Sequence, residues 1–298
     1  MNDSELKTVM PAPDTPGLTA MIDGMDETGS AIQVPVVIEK PLTIFLNSQE
    51  VVTAMTLGDW TDCLAVGFLR NQNMLRDDDV INAIDYDEEL GVVVIRTERQ
   101  TDYEAKMEKK IRTSGCAQGT VFGDMMERFE TISLNPDARL STAALSRLTK
   151  TINTTPSLYL SAGAIHGCVL AQGETPLVYM EDVGRHNAVD KIAGWMFLNG
   201  ISGHDKIFYT TGRLTSEMVI KTVQMEIPIL VSRSGFTESG VTLARQAGLT
   251  LIGRARGKRF TVLAGQQRLV HDAVAAADDE SRLADGISMQ RRHYGAER

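Results

Sequence analysis

The chain has 298 residues, of which 43% are hydrophobic and 23% are charged, and its formal net charge at pH 7 is -9. This length and apolar content suffice for one large domain or two modest domains with buried cores. The negative charge excludes a protein that binds nucleic acid through its bulk electrostatics, but a local basic site remains compatible with it.

Cysteine content and the terminal sequence indicate the compartment. The three cysteines, Cys63, Cys116 and Cys168, are too few and too scattered for a disulfide framework. An odd number without secretory features fits a reducing cytoplasm, and the N-terminus has no basic region followed by an apolar one. Residues 151–173 carry no formal charge, but their Asn, Pro, His and Gln residues disfavour a bilayer location. We therefore predict a cytoplasmic protein without a membrane segment.

The first half of the chain alternates strand and helix signals. Residues 1–33 are rich in Pro, Gly, Asp and Thr without periodicity, which predicts a mostly disordered tail. The runs VPVVIEKPLTIFLN and VVTAMTLG predict a hairpin, and VINAIDYDEELGVVVIRTE predicts a second strand pair. Between them, DWTDCLAVGFLRNQNML predicts a helix with Asp59 as its N-cap.

The second half has the pattern of a layered sheet. Residues 121–135 are poorly patterned, and STAALSRLTKTINTT predicts a short helix after the breaker NPD. Four β runs, PSLYLSAG, PLVYMEDVG, KIFYTTG and IPILVSRSG, each lead into a helical stretch, the first being AIHGCVLAQ. TLIGRARGKRFTVLAG closes the series as strand, so an α/β sheet with helices on both faces is predicted.

Two strand-to-helix junctions, KIFYTTGRLTSEM and LVSRSGFTES, carry hydroxyl groups and an arginine. A helix N-terminus offers unpaired N–H groups and partial positive charge, so these side chains could cradle a phosphate. They could equally be plain N-caps. Two such junctions at one sheet edge favour a nucleotide-like ligand, because open α/β sheets bind ligands where their strands end. The candidate residues are Thr211, Gly212, Arg213, Ser232, Arg233 and Ser234.

The stretch EDVGRHNAVDK is the densest in polar groups. Glu181 and Asp182 precede the predicted helix, where negative charge is favourable. His186 and Asp190 are four residues apart, so that Asp190 could orient the imidazole. Asn187, with Lys191 four residues on, forms another such pair. A solvated face with salt bridges is the alternative, and the crowding of polar groups at the helix entry favours a functional site.

Two further stretches bear on ligands. RARGKRF gathers four cations beside a glycine, either as an exposed loop or as a clamp for an anionic ligand. His166 lies alone in an apolar stretch with Cys168 two residues on, and no CxxC or His cluster accompanies them. A hydrogen-bonded core histidine is the default interpretation, so no structural metal is predicted.

The loop RTSGCAQGT presents Cys116 between two glycines, after the basic run EKKIR. Nearby cations favour the thiolate, which is the reactive form of cysteine. Gly115 and Gly119 allow backbone N–H groups to approach the sulfur. This arrangement suits a nucleophile or a sulfur carrier, and the alternative is an idle thiol on a flexible loop.

Together these stretches resemble the FdhD/NarQ family of formate dehydrogenase accessory sulfurtransferases. The resemblance covers residues 34–264 and includes EKPLTIFLN, the SGC loop, GAIH, EDVGRHNAVDK, TTGRLTSEMV, IPILVSRS and GLTLIGRARGKRF. The long motif EDVGRHNAVDK is the most specific of them.

The resemblance implies a sulfur carrier. Sulfur would pass from a cysteine desulfurase to the molybdenum cofactor, as Mo-bis(molybdopterin guanine dinucleotide), which the formate dehydrogenase catalytic subunit needs for activity. Cys116 would hold the sulfur as a persulfide, and GDP would be an analogue of the bound cofactor. The segment that maps onto the family's cofactor-binding motif is Arg254, Ala255, Arg256, Gly257, Lys258 and Arg259, and His186 joins the candidate binding residues.

The resemblance also implies an architecture. A cytidine-deaminase-like α/β domain would occupy residues 141–265, after a smaller N-terminal α+β domain with the cysteine loop at residues 34–140. Residues 266–298 would form a helical C-terminal extension. The family further implies a homodimer.

Two departures from the family pattern leave alternatives open. Many relatives have CxxC in the loop, but Gly119 occupies the second position here, and Arg254 stands where relatives often carry an aromatic residue. Without a resolving cysteine, transfer would rely on a single persulfide. A non-catalytic cofactor-binding chaperone is therefore the rival, and a hydrolase or deaminase using Cys116 with His186 is a weaker option. Whether the client carries molybdenum or tungsten stays open.

Overall fold

The computed structural model describes residues 8–99 and 122–272. In this part of the chain the strands form a two-stranded N-terminal hairpin, a four-stranded sheet, a six-stranded sheet and a short two-stranded ladder. Within the same ranges, no helix is long and apolar enough to cross a membrane.

The N-terminal segment is not a disordered tail where it is described. Strands β1 (Thr19–Met25) and β2 (Ala31–Val37) pair antiparallel over seven positions. The prediction of disorder over residues 1–33 is wrong for this part, because residues 31–37 supply β-branched partners for strand β1. Val9 adds a bridge to Val178 at the edge of the large sheet.

The four-stranded sheet confirms both predicted strand pairs. Its order is β4-β3-β6-β5, with β3 parallel to β6 and the other pairs antiparallel. Leu42, Ile44 and Leu46 alternate inward along β3, as one buried face requires. The strands are β3 (Lys40–Leu46), β4 (Gln49–Thr56), β5 (Ile81–Asp87) and β6 (Val92–Thr97).

Helix α1 (Thr61–Asn71) packs on this sheet through its apolar residues. Its N-cap is Trp60, in the left-handed conformation and without a side-chain cap hydrogen bond. The prediction that Asp59 caps this helix is therefore wrong, because its carboxylate is directed to Lys191 instead.

The six-stranded sheet has the order β13-β12-β11-β10-β8-β9 and is covered on both faces. Three helices from the second half cover one face, and a single helix covers the other. The four residues of β10 and of β11 are all buried, as expected for strands covered on both sides. The strands are β8 (His166–Gln172), β9 (Thr175–Asp182), β10 (Ile207–Thr210), β11 (Ile229–Ser232), β12 (Thr250–Arg256) and β13 (Arg259–Ala264).

Seven helices lie in the described part of the chain, and the six after α1 belong with the large sheet and its ends. Helix α3 covers one face through Leu145, Leu148 and Ile152, and α5, α6 and α7 cover the other. These helices are α2 (Phe122–Thr131), α3 (Thr142–Thr154), α4 (Leu158–Ser161), α5 (Arg185–Leu198), α6 (Ser216–Gln224) and α7 (Glu238–Gln246).

Three segments differ from the sequence predictions. PSLYLSAG contains the single turn of α4 rather than a strand, and AIHGCVLAQ forms strand β8 rather than a helix. Residues 121–135 contain α2, whose Phe129 packs into the core of the large sheet. The predicted helical extension begins with the 3-10 turn Gln266–Arg268 and strand β14 (Leu269–Val270), which pairs with β7 (Leu140–Ser141). Residues 273–298 lie outside the described ranges.

The two large sheets are joined where α1 crosses α5. A Cβ built on Gly67 would lie 1.7 Å from the Asp190 carbonyl oxygen, and one on Gly194 would lie 1.9 Å from the Cys63 carbonyl oxygen. Both helices therefore need glycine at the crossing, and the close approach unites the cores of the two sheets.

Candidate functional site

The ends of three parallel strands meet at one edge of the six-stranded sheet. β10 pairs in parallel with β11, and β11 with β12, so the prediction of two junctions at one edge is confirmed. β8 runs antiparallel to β10, which brings its first residues to the same edge. We call this edge the sheet-edge site, and it comprises residues 166–167, 210–216, 232–237 and 254–259.

Hydrogen bonds hold the first junction in a defined turn. Gly212 N donates to Thr210 Oγ1 at 3.0 Å, and Thr211 N donates to Gly167 O at 3.0 Å. Ser232 Oγ donates to Gly212 O at 2.6 Å, which ties this turn to the next strand. Thr210 and Ser232 are fully buried and therefore position the backbone of the turn.

The second junction contacts the first junction and helices α3 and α4. Ser234 N donates to Ser232 Oγ at 2.9 Å. The Arg233 guanidinium carbon lies 5.8 Å from the centre of the Tyr159 ring, and its Nη1 donates to Asn153 Oδ1 at 3.2 Å. Arg233 is thus directed toward α3 and α4.

The N-cap residues of α6 and α7 differ in whether their side chains cap the helix. Thr237 Oγ1 accepts from Gly240 N at 3.2 Å, so it is a plain N-cap of α7. Thr215, the N-cap residue of α6, is 5% exposed, and its hydroxyl makes no cap hydrogen bond and has no other partner. The side chain of Thr215 therefore does not cap α6.

The arginine-rich segment reaches the same edge from β12. Arg254 has a φ of 55°, in the left-handed region that few non-glycine residues occupy, and its N–H donates to Ser234 O at 2.7 Å. Ala255 is 1% exposed, so that its side chain belongs to the core. The exposed members of the segment are Arg254, Arg256, Gly257, Lys258 and Arg259.

Two histidines lie beside the first turn. His166 Nδ1 is 3.3 Å from Thr211 Oγ1, and burial followed by nearby cations lowers the pKa of His166 below its usual 6.5. His186 Nε2 lies 2.9 Å from Glu217 Oε2 in a mostly buried pair. Burial lowers the pKa of His186 as well, although Glu217 opposes the shift. Both pKa shifts favour the neutral imidazole.

The rest of the EDVGRHNAVDK motif forms buried ionic contacts. Lys191 is fully buried, and its Nζ lies 2.6 Å from Asp182 Oδ2, 2.5 Å from Asp59 Oδ1 and 2.9 Å from Glu181 O. Asn187 Nδ2 donates to Asp182 Oδ1 at 2.9 Å. The alternative of a solvated polar face is therefore wrong, because this helix is enclosed on several sides.

Asp190 does not orient His186, contrary to the prediction from their spacing. Its two carboxylate oxygens accept from Lys221 Nζ at 2.8 and 2.7 Å, and Oδ1 also accepts from Asn71 Nδ2 at 2.6 Å. The carboxylate thus links α5 to α1 and α6. Glu217, from a different helix, takes the place beside His186.

Arg185 lies against the sheet-edge site but was not among the predicted residues. A Cβ built on Gly212 would lie 3.1 Å from Arg185 Cβ and 3.2 Å from its Cδ, so the side chain lies against the first turn. The available signal was the arginine directly after glycine in EDVGRHN, where a cation opposes the dipole of the helix that follows.

Cys116 lies outside the described residues, and the other two cysteines are buried. Cys63 is 3% exposed and Cys168 is not exposed. Burial raises the pKa of each of these thiols to about 12. Neither thiol can become an accessible thiolate near neutral pH.

Residues 8–99 and 122–272 contain no candidate metal-binding cluster. No group of three His, Cys, Asp or Glu residues in these ranges could hold a metal ion. His166 is near Thr211, while the Cys168 sulfur lies 3.5 Å from Thr210 Oγ1 in the core.

The fold and the sheet-edge site define a mixed α/β protein with cationic side chains and hydroxyls gathered at one sheet edge. The FdhD/NarQ family profile matches residues 37–270, and the chain belongs to this family. Proteins named sulfur carrier protein FdhD from Listeria monocytogenes and Bacillus subtilis are each 30% identical to it over 245 residues. These matches cover 81% and 80% of this chain, and 94% and 92% of the relatives.

A solved structure has the same fold. The crystal structure of a protein assigned as a formate dehydrogenase accessory protein, from Desulfotalea psychrophila, superposes with a TM-score of 0.70 at 28% identity. The match covers 85% of this chain and all of that one.

Proposed function

We propose that this protein is a sulfur carrier for formate dehydrogenase maturation. It would accept sulfur from a cysteine desulfurase and deliver it to Mo-bis(molybdopterin guanine dinucleotide), the cofactor of the formate dehydrogenase catalytic subunit. The observation that carries the proposal is the 30% identity to proteins named sulfur carrier protein FdhD over nearly their whole length. In this role the cofactor is a substrate of the protein and not its resident group. The similarity to the cytidine deaminase fold and the homodimer stay predictions.

Cys116 is the proposed carrier residue. Its thiolate attacks the terminal sulfur of a donor persulfide, the donor's S–S bond breaks, and the donor cysteine leaves as a thiolate. Delivery reverses these roles: the acceptor supplies an electron pair to the terminal sulfur, and Cys116 leaves as a thiolate. Burial of Cys63 and Cys168 supports this assignment, because neither can compete for the donor persulfide.

The sheet-edge site is the proposed seat of the cofactor's nucleotide part. Arg213 and the exposed side chains of residues 254–259 supply positive charge for phosphates. The start of α6, which the Thr215 side chain does not cap, would favour an oxyanion. GDP is the matching soluble probe, since it carries a guanine base and two phosphates.

A non-catalytic chaperone that only holds the cofactor is the second candidate. The residue that favours it is Gly119, which removes the second loop cysteine of many relatives. The two functions differ in one observable, because only a carrier gains a sulfur atom covalently.

We predict that Cys116→Ala abolishes sulfur loading while the sheet-edge site stays intact. Incubation of the purified protein with a cysteine desulfurase and cysteine, followed by intact mass measurement, should show one added sulfur on the wild type and none on the variant. Titration calorimetry should give the same Kd for GDP in both proteins, since the proposed phosphate contacts come from residues 210–216 and 254–259.

Cys63→Ala is the matched control, because it removes a buried thiol of the same chemistry. It should load sulfur as the wild type does. Loading of Cys116→Ala to the wild-type level would refute the persulfide assignment. GDP binding without loading of the wild type would instead favour the chaperone.

A further inference from the structure

The Arg185 guanidinium lies in a place where the protein alone makes positive charge unfavourable. Arg185 is the first residue of α5, a helix of 14 residues. The positive end of a helix dipole repels a cation at this position, and acidic residues are the usual occupants. The side chain is held against the first turn of the sheet-edge site by its contact with Gly212.

Arg185 has no ion-pair partner among the described residues. The Nε–H of Arg185 is buried without a hydrogen-bond partner, and no carboxylate in these residues forms an ion pair with its guanidinium. Arg185 and Arg213 are close enough to His166 to lower its pKa, and each adds positive charge there. Glu217, the nearby carboxylate, faces His186.

Resting on the proposed function, we propose that Arg185 is an anion-binding residue that contacts a phosphoryl oxygen of the ligand in the sheet-edge site. An arginine can give such an oxyanion two parallel N–H donors. The buried Thr215 hydroxyl at the start of α6, also without a partner, is a second group left for a ligand at this edge.

Arg185 acts at a different point from the arginine-rich segment. It lies beside β8 and β10, whereas Arg254 lies within β12, two to three strands further along the sheet. With neighbouring strands about 4.8 Å apart, the two cationic groups are separated by roughly 10–15 Å. A ligand that contacts both must therefore be extended along the edge.

A purely structural role for Arg185 predicts the opposite stability effect. If the side chain only packed over Gly212, its removal would lower the stability of the ligand-free protein. If it is held ready for an anion, its removal relieves charge repulsion at the helix start, and the ligand-free protein is as stable as the wild type or more stable.

The test compares Arg185→Gln and Arg185→Lys with the wild type, and Arg147→Gln is the control of equal charge change. Arg147 forms an exposed ion pair with Glu174, of the kind that contributes little to stability. We expect Arg185→Gln to keep or raise the Tm of the ligand-free protein and to weaken GDP binding about 10- to 100-fold. Arg185→Lys keeps the charge but loses the two parallel donors, so its affinity for GDP should lie between those of the wild type and Arg185→Gln. Arg147→Gln should bind GDP like the wild type.

Pyrophosphate alone separates this inference from the proposed function. A Tm increase with pyrophosphate that is lost in Arg185→Gln supports the anion contact even if GDP does not bind, in which case the nucleotide proposal fails. GDP binding that is unchanged in both Arg185 variants overturns the inference and leaves the proposed function standing. A lower Tm for both ligand-free variants with unchanged GDP affinity would assign Arg185 a structural role, and a wild type that binds neither compound refutes both proposals.

Discussion

Several buried charged side chains in this protein are neutralised by partners of opposite charge. Lys191, with no exposed surface, is neutralised by Asp182 and Asp59, and Asp190 is neutralised by Lys221. Breaking such a pair costs about 3–5 kcal/mol, because it leaves an uncompensated charge in the interior. The residues that form these pairs therefore act on the site indirectly, because they fix the helices and strands around it. Arg185 and Arg213 lie at the site, and none of these carboxylates neutralises them.

The buried histidine His186 gives a pH prediction. Its folded-state pKa is lowered below 6.5, so the unfolded chain binds the proton first as the pH falls. Stability from this group is present above pH 6.5 and is lost as the pH drops from there toward the lowered pKa. In His186→Gln, the free energy of unfolding from urea titrations should fall less between pH 7 and pH 5.5, by up to about 1.4 kcal/mol per pH unit.

His204→Gln, at an exposed position, is the control substitution. An equal loss of stability in the wild type and in His186→Gln over this pH interval would show that His186 takes no part in the acid sensitivity.

At the scale of elements, the crossing of α1 and α5 is the contact on which the site depends. It fixes α5, and α5 carries Arg185 and His186 at one end and both buried ionic contacts further along. The β1–β2 hairpin, by contrast, precedes the region matched by the family, which begins at residue 37. The helix crossing lies within the matched region.

We predict that alanine at Gly67 or Gly194 destabilises the protein severely. The added Cβ would lie within 2 Å of a backbone carbonyl oxygen, which a side-chain rotation cannot relieve. The free energy of unfolding should fall by more than about 3 kcal/mol, beyond the usual cost of overpacking. Gly235→Ala is the control, since nothing lies within 4 Å of its added Cβ. Variants at Gly67 and Gly194 that match this control in urea would contradict the crossing geometry.

For the whole molecule, two sheets share one connected interior. Lys191 binds Asp59 from the segment before α1, and Asp190 binds Asn71 at the end of α1. These contacts link groups 132 and 119 residues apart along the chain. The ionic contacts and the glycine crossing therefore couple the half with the four-stranded sheet to the half with the sheet-edge site.

This coupling predicts a single cooperative unfolding transition. Trp195 is buried in the core of the large sheet, so its fluorescence in Trp60→Phe reports that half. Circular dichroism reports all helices and strands, and its urea midpoint should coincide with that of Trp195 fluorescence. Two separated midpoints would show that the halves unfold independently.

Local patterns in the sequence were sufficient to predict the strands and helices with clear hydrophobic periodicity and the two strand-to-helix junctions. The strand pairs of the first sheet, helix α3 and the two junctions were predicted correctly, because turn residues, alternation and capping act within a few positions. Strand β8 was missed because both of its faces are buried, which erases the alternation that distinguishes strand from helix. The roles of Cys116 and of residues 254–259 stay predictions.

What the sequence by itself determined is the set of groups at each strand end: Thr211 and Arg213 after β10, Arg233 after β11, and Arg254 and Arg256 in the last part of β12. Only the tertiary structure decided which of them share a surface, because parallel pairing of distant strands brings their ends together. It also decided that Asp190 pairs with Lys221, that Asp59 pairs with Lys191, and that Arg185 has no neutralising carboxylate in the described residues. The physical reason is that charge pairing depends on distance through a buried interior, which spacing along the chain does not specify.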